Sequence, residues 1–408
     1  MEVRLLAVTS NVGNRGRALG VVIALAMVGA LLSAQTAFGA GDPVASGTFA
    51  FKYSGGFKHQ LKSNGVKLKP KKLKIKTAGS SLDPITGAGT LKLGKITFKK
   101  GNNKVVYNSA KATLGANGGK GNVKGSSGKL FSLKGGKVTR SGFGAKVSGV
   151  KVKLLKSAAK KINKALGLHS LHKGSAGTAS ANNVQPSTVT LVSGSSELVA
   201  NLVTFAKFGH HCVSPVTTGT TGVLGIAPLA PATETPTPSF VFPVTGGSLS
   251  PAATSGTANA SGGIQITQNI LNDNAPTAGS LCNTIAGGTS SQVKQSDLVL
   301  DLNSKQIQAH IVISGTGVAA LDGDKGSAFI GTIDMTGAAV TADPSTRKVT
   351  ITNALAAFNA TSALVLNGAF PCDANSGLDP TTGCTAASPY AFVAGDPIGT
   401  VSLSAQAQ

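Results

Sequence analysis

Lysines set at alternate positions are the strongest chemical signal in this sequence. Val66–Lys76, VKLKPKKLKIK, places Lys67, Lys69, Lys71, Lys72, Lys74 and Lys76 among Val66, Leu68, Leu73 and Ile75. Residues 41–175 hold 29 Lys or Arg against two Asp, and residues 176–408 hold 6 against 12 Asp or Glu. A basic half followed by a mildly acidic half points to an anionic partner for the first. Arg140 is the one arginine of residues 41–175, and lysine without arginine suits diffuse attraction to anionic polymer or lipid headgroups better than shaped phosphate recognition. Nucleic acid is not expected, because the chain reads as exported, arginine is nearly absent from this half and no aromatic-basic stacking pattern occurs. On this reading the polyanion-binding residues are Lys67, Lys69, Lys71, Lys72, Lys74 and Lys76, with Lys160 and Lys161 further on.

The other reactive side chains point to structure. Four cysteines, Cys212, Cys282, Cys372 and Cys384, suit two disulfides in an exported chain. Three connectivities are possible; the most local is expected, with Cys372 and Cys384, which bracket the turn-rich DANSGLDPTTG, as one pair and Cys212 with Cys282 as the other. His210-His211 stands beside Cys212, but no CxxC or HxxxH spacing occurs, so no metal site is expected. No GxSxG, HExxH, EF-hand loop or dinucleotide fingerprint is present. The acids in Asp322-Gly323-Asp324, Asp343-Pro344 and Asp379-Pro380 sit in turn contexts. The expectation is a protein that is not an enzyme.

These residues need elements to carry them. Arg4, Arg15 and Arg17 precede an apolar run of Ala18–Leu32, followed by small residues, which reads as a signal peptide over 1–40. The run is too short to span a bilayer, and no later run is long enough. The mature chain is therefore expected to be secreted, extracellular and associated with the cell envelope, with no transmembrane span. Alternation of apolar and lysine residues in Val66–Lys76, Leu91–Lys100 and Val147–Leu154 predicts strands. Leu154–Gly167 has the period of a helix with lysines on its outer face. Ser46–Gln60, SGTFAFKYSGGFKHQ, returns as Ser255–Gln268, SGTANASGGIQITQ, and each copy is read as a strand interrupted by a turn or bulge at Ser-Gly-Gly. A second short helix is predicted over Asn353–Leu366, and Gly174–Gln185 is a polar stretch rich in Gly, Ala, Ser and Asn. The reading is mainly β: two β-rich, sandwich-like modules in tandem, each with one short helix. Their spans are 41–205 and 245–408, joined by a Pro/Thr-rich linker over 206–244.

The opening Gly-Thr strand, Phe57-Lys58 after it, the late Ala/Asn helix of each module and the closing FVAGDPIGTV resemble the HtaA-type modules of actinobacterial surface and secreted proteins. That resemblance implies β-rich modules that bind haem through a tyrosine supported by a histidine. The family's tyrosine position falls near Gln60 here, and at Thr267 or Gln268 in the second copy. The candidate iron ligands that remain are His59, Tyr53 and His310. Haem capture is thus what the resemblance implies. Retention of an anionic cell-wall polymer or lipid by the lysine-rich module is the alternative read from the residues themselves.

Overall fold

A computed structural model describes residues 41–208, 226–235, 239–267, 292–315, 320–370 and 390–408. The four cysteines, His210-His211 and the N-terminal segment 1–40 lie outside these residues. The first module comprises β1 (Asp42–Tyr53), α1 (Gly55–Ser63), β2 (Lys67–Lys69), β3 (Lys72–Lys74), β4 (Lys76–Leu82), β5 (Gly89–Lys100), β6 (Asn103–Leu114), β7 (Gly121–Gly125), β8 (Gly128–Lys134), β9 (Lys137–Ser141), β10 (Gly144–Leu154), α2 (Lys156–Leu166) and β11 (Gly174–Pro186). The second comprises β12 (Val189–Ala200), α3 (Leu202–Lys207), β13 (Ile226–Leu229), β14 (Thr233–Thr235), β15 (Ser239–Leu249), β16 (Gly256–Thr267), β17 (Gln292–Asp301), β18 (Gln306–Ser314), β19 (Gly323–Asp334), β20 (Ala339–Asp343), β21 (Lys348–Phe358), α4 (Ala360–Ala369) and β22 (Pro397–Ala407). The protein is mainly β, in two modules with the same order of elements.

Each module is one antiparallel sheet that closes on itself. In the first, hydrogen bonds run β1-β4-β5-β6-β7-β8-β10-β11 and return from β11 to β1. In the second they run β12-β15-β16-β17-β18-β19-β21-β22 and return to β12. Closure removes exposed strand edges, which a chain this rich in strands would otherwise present for aggregation. Inward residues alternate along strands such as β5, β10, β18 and β22. Phe49, Phe51, Leu91, Phe98 and Phe131 fill the first interior, and Phe240, Phe242, Ile311 and Leu403 are among those in the second.

The strand pairing moves several expected boundaries. β12 hydrogen-bonds to β15 and β22, so the second sheet begins at Val189, well before 205. Phe205 and Phe208 belong to its core, and Ile226–Leu229, Thr233–Thr235 and Ser239–Leu249 are strands, so most described residues of 206–244 are sheet. Gly174–Gln185 is also sheet: β11 turns Ala176, Ala179, Ala181 and Val184 inward and closes the first ring. Small residues with this alternation fit a crowded strand pair. Asn353–Phe358 continues β21, with Ala354, Ala356 and Phe358 inward. Pairing with β22 overrides the helix propensity of its alanines, and the helix starts only after Asn359.

The repeat is real, but its phase differs from the SGT…SGG match. The counterpart of β1 is β12, and the counterpart of Ser46-Gly47 is Ser193-Gly194. Both glycines have positive φ, 152° and 145°. A Cβ on Gly194 would meet the Ser404 carbonyl at 2.2 Å, so glycine is required there. Ser54-Gly55-Gly56 is neither turn nor bulge but a helix start: the Ser54 side chain accepts from the Phe57 amide at 3.3 Å, as Asn201 does from Thr204 at 3.1 Å at the start of α3. Ser261-Gly262-Gly263 does sit at a bulge, where the β16–β17 register slips. Each module therefore has two helices rather than one. At α4, Asn359 and Ser362 form a reciprocal capping box, and Asn359 Nδ2 also donates to the Phe329 carbonyl at 2.7 Å. Asn359→Ala is expected to cost about 1–2 kcal/mol in denaturant unfolding, while Asn359→Ser recovers the cap and about half of that loss.

Candidate functional site

The alternation of lysines becomes a surface feature through strand register. Lys76 on β4 lies directly opposite Lys92 on β5. Lys92 lies opposite Lys111 on β6, Lys111 opposite Lys124 on β7, and Lys124 opposite Lys129 on β8. Five lysines thus form one unbroken ladder across five neighbouring strands. At the ordinary strand spacing of ~4.8 Å the ladder runs roughly 20 Å. A second row joins Lys67 to Lys99 and Lys99 to Lys104, and Lys134 faces Lys151. Leu91, Ala112, Val123 and Leu130, the chain neighbours of ladder lysines, are buried, which holds the amines outward.

Like charges placed directly opposite one another destabilise a sheet. Here they are not neutralised from within: among the described residues, no lysine of the first module makes an ion pair. Asp83 is spent on its own turn, accepting from Ile85, Thr86 and the Thr86 hydroxyl at 2.7–3.1 Å. Those hydrogen bonds hold its carboxyl below the usual range, although partial burial opposes them.

All eight lysines singled out from the sequence, Lys67, Lys69, Lys71, Lys72, Lys74, Lys76, Lys160 and Lys161, are exposed. Only Lys67 and Lys76 of these enter the rows just described. Lys72 and Lys74 stand on β3 opposite Ala50 and Thr48. Lys160 and Lys161 are on the outer side of α2, whose Ala158, Ala159, Ile162 and Leu166 are buried against the sheet; Lys161 Nζ donates to the Ser127 carbonyl at 3.1 Å. The sequence reading missed Lys92, Lys111, Lys124 and Lys129. Their alternation with buried neighbours is visible in the sequence, but their alignment depends on register.

The three candidate iron ligands are not brought together. Tyr53 points into the first module, stacked on Phe51 with ring centroids 5.6 Å apart and in contact with Phe57. Its hydroxyl is buried without a hydrogen-bond partner, and burial pushes its pKa up, away from the phenolate that ferric iron takes. His59 is exposed on α1. His310 belongs to the second module, between inward Ala309 and Ile311 on β18, and its Nε2 lies 2.8 Å from Asp324 Oδ1 on the outer face. Among the described residues no group of three or more His, Cys, Asp or Glu side chains could hold a metal ion.

A sizeable cavity lies inside the second module. It is lined by side chains such as Leu198, Phe205, Phe242, Ala258, Ala260 and Ile264, with Ser196 and Gln295 as polar members. None of its described lining residues is Tyr, His, Met or Cys, the side chains that would ligate haem iron. Neither this lining nor Tyr53, His59 and His310 assembles a haem site among the described residues.

No protein-family model matches the chain, and no curated protein matches it. Several solved structures are similar, two of them as follows. The C-terminal domain of HtaA from Corynebacterium glutamicum matches with 12% identity and a TM-score of 0.33, over 53% of this chain and 98% of that one. The heme binding protein HtaB from Corynebacterium glutamicum matches with 14% identity and a TM-score of 0.30, over 54% of this chain and 96% of that one.

Proposed function

We propose that the protein is a non-enzymatic binding protein of the cell envelope, exported by its N-terminal segment, that holds a linear polyanion on the lysine ladder of its first module. The observation that carries this reading is the in-register alignment of Lys76, Lys92, Lys111, Lys124 and Lys129. Such a row is unfavourable in isolation, and it meets an extended anionic chain at one cation per strand.

A polymer suits the surface better than a membrane. Ile85 is the one large apolar side chain counted as exposed in the first module, and the apolar face of α2 is buried, so there is no wedge to enter a bilayer. Among the described residues, no helix is long and apolar enough to cross a membrane. The test is equilibrium binding of the full chain to long-chain inorganic polyphosphate, to isolated cell walls and to vesicles with anionic headgroups. Salt-elutable binding to the first two that exceeds binding to vesicles supports the proposal. Preference for vesicles, or binding that 0.5 M salt leaves intact, would overturn it.

Heme is what one of the similar solved structures is named for. For this chain, hemin titrated into the full protein is expected to give no Soret band that depends on Tyr53 or His59. A band lost in Tyr53→Phe, with the circular dichroism unchanged, would establish haem capture in this protein.

A further inference from the structure

The two modules share a strand plan but not an interior. β1 and β12 are each 12 residues long, and their positive-φ glycines, Gly47 and Gly194, fall at the same step. Aligned this way, Phe49, Phe51 and Tyr53 of the first module correspond to Ser196, Leu198 and Ala200 of the second. β5 and β16 are also 12 residues each and both open Gly-Thr. Leu91 and Leu93 then correspond to Ala258 and Ala260. The first set fills its module: all five of those side chains are buried. The second set leaves the cavity, and Ser196, Leu198, Ala258 and Ala260 line it.

The cavity measures about 80 Å³ at the centre of a rolling water molecule; on that measure one water needs roughly 10–15 Å³. Its lining includes Ala258, Ala260, Ile264 and Ile266 of β16, which span roughly 25 Å of strand. An unfilled apolar space of this kind lowers stability, and the sister module shows that the fold can fill it. Among the described residues, the Ser196 and Gln295 side chains have no hydrogen-bond partner and no charged residue lines the wall. α3 presents Phe205 to the cavity, while Leu202 and Val203 on the same helix are 60% and 80% exposed, an apolar threshold beside it.

We infer that the second module is a binding site for a linear apolar ligand, an acyl chain or comparable hydrocarbon ending in an uncharged hydrogen-bonding group. The chain lies along β16, and Gln295, opposite Ile264 on the neighbouring strand, takes its polar end. A carboxylate end is disfavoured, because no cation is there to meet it. This site is separate from the lysine ladder, and either can fail without the other.

The test uses the full chain and the neutral fluorophore N-phenyl-1-naphthylamine, displaced by 1-hexadecanol or by hexadecanoate. Saturable binding of one fluorophore per chain is expected, with 1-hexadecanol displacing it at least tenfold more effectively than hexadecanoate. Ala258→Leu/Ala260→Leu restores the residues of the first module; it is expected to weaken fluorophore binding at least tenfold and to raise the unfolding midpoint. Should that variant not fold, Ser196→Phe makes the same prediction from another strand. Absence of saturable binding, or unchanged binding in a folded filled variant, would overturn the site. Equal displacement by hexadecanoate would overturn the uncharged end.

Discussion

Replacing Lys76, Lys92, Lys111 and Lys124 together by glutamine is expected to weaken polyphosphate binding by about 10- to 100-fold at 50 mM salt and to make the protein more stable. The two effects share one cause. Each lysine sits opposite another across a strand pair, and the four substitutions remove every such contact in the ladder. Opposed like charges cost a sheet a few tenths of a kcal/mol each once solvent screens them, so the gain is about 1 kcal/mol, or about 2–4 °C in midpoint. Glutamine keeps the length of the side chain and its cover over the strands, so packing changes little. Loss of binding with a gain in stability separates a charge effect from damage to the fold. A control with four lysines outside the ladder, Lys58, Lys62, Lys156 and Lys164, removes the same net charge and is expected to lose less than a third as much binding on a logarithmic scale.

Arg347→Ala is expected to cost about 3–5 kcal/mol, the largest stability effect predicted for a single residue here. Arg347 lies in the turn between β20 and β21 of the second module, with φ +58°, and is 2% exposed. Its Nη1 donates to the Phe143 carbonyl at 2.7 Å, in the β9–β10 turn of the first module, and its guanidinium stands 5.8 Å from the Phe143 ring centroid. Its Nη2 is 3.8 Å from Asp42 Oδ2 on β1. Asp42 also accepts from the amide and hydroxyl of Thr190 on β12, and Phe143 packs into the second module's core. One arginine therefore joins two sheets, and truncating it strands a buried carboxylate.

The pair is held more by geometry than by charge. Burial raises the pKa of Asp42, despite the Thr190 hydrogen bonds and Arg347, and burial lowers that of Arg347. An acid whose folded pKa is raised favours the folded state most below its unfolded pKa, and that contribution is lost as pH rises through the folded value. Asp42→Asn, which resembles the protonated acid, is thus expected to be at least as stable as wild type at pH 7, and that advantage vanishes as pH falls into the ordinary carboxylate range. Asp42→Asn/Arg347→Met is expected to recover most of the loss. Urea unfolding of the four proteins at pH 7 and pH 4 checks this, and an Arg347→Ala cost under 1 kcal/mol would show that the contact does not couple the modules.

Much of the architecture is legible in the residues, and its failures have physical causes. Alternation in Leu91–Lys100 and Val147–Leu154 gives strands because one face of each is buried. The α2 helix is read correctly from its period and from Gly167, which takes the left-handed conformation that ends it. What misleads is composition without partners. Polar, alanine-rich β11 and NALAAF in β21 become strands because closing a ring demands a neighbour on each side. Ser54-Gly55-Gly56 reads as a turn because glycine favours turns, whereas Ser54 is there to cap α1. For the site, the lysines are visible and their mutual alignment is not. Cross-strand register is set by bulges, such as the slips on either side of Gly94, which no local motif announces. The cavity is a difference between two modules, and it is found only once β12, rather than the second SGT, is matched to β1.

The most direct test of the polyanion proposal is the salt dependence of polyphosphate binding by the full chain between 50 and 300 mM. Five ladder lysines engaging a flexible anionic strand predict a slope of log K against log salt of roughly −3.5, falling to about −1 when only Lys129 of the ladder remains. A slope near zero for the wild-type chain, or the same slope for the wild-type and four-lysine variant proteins, would contradict the account.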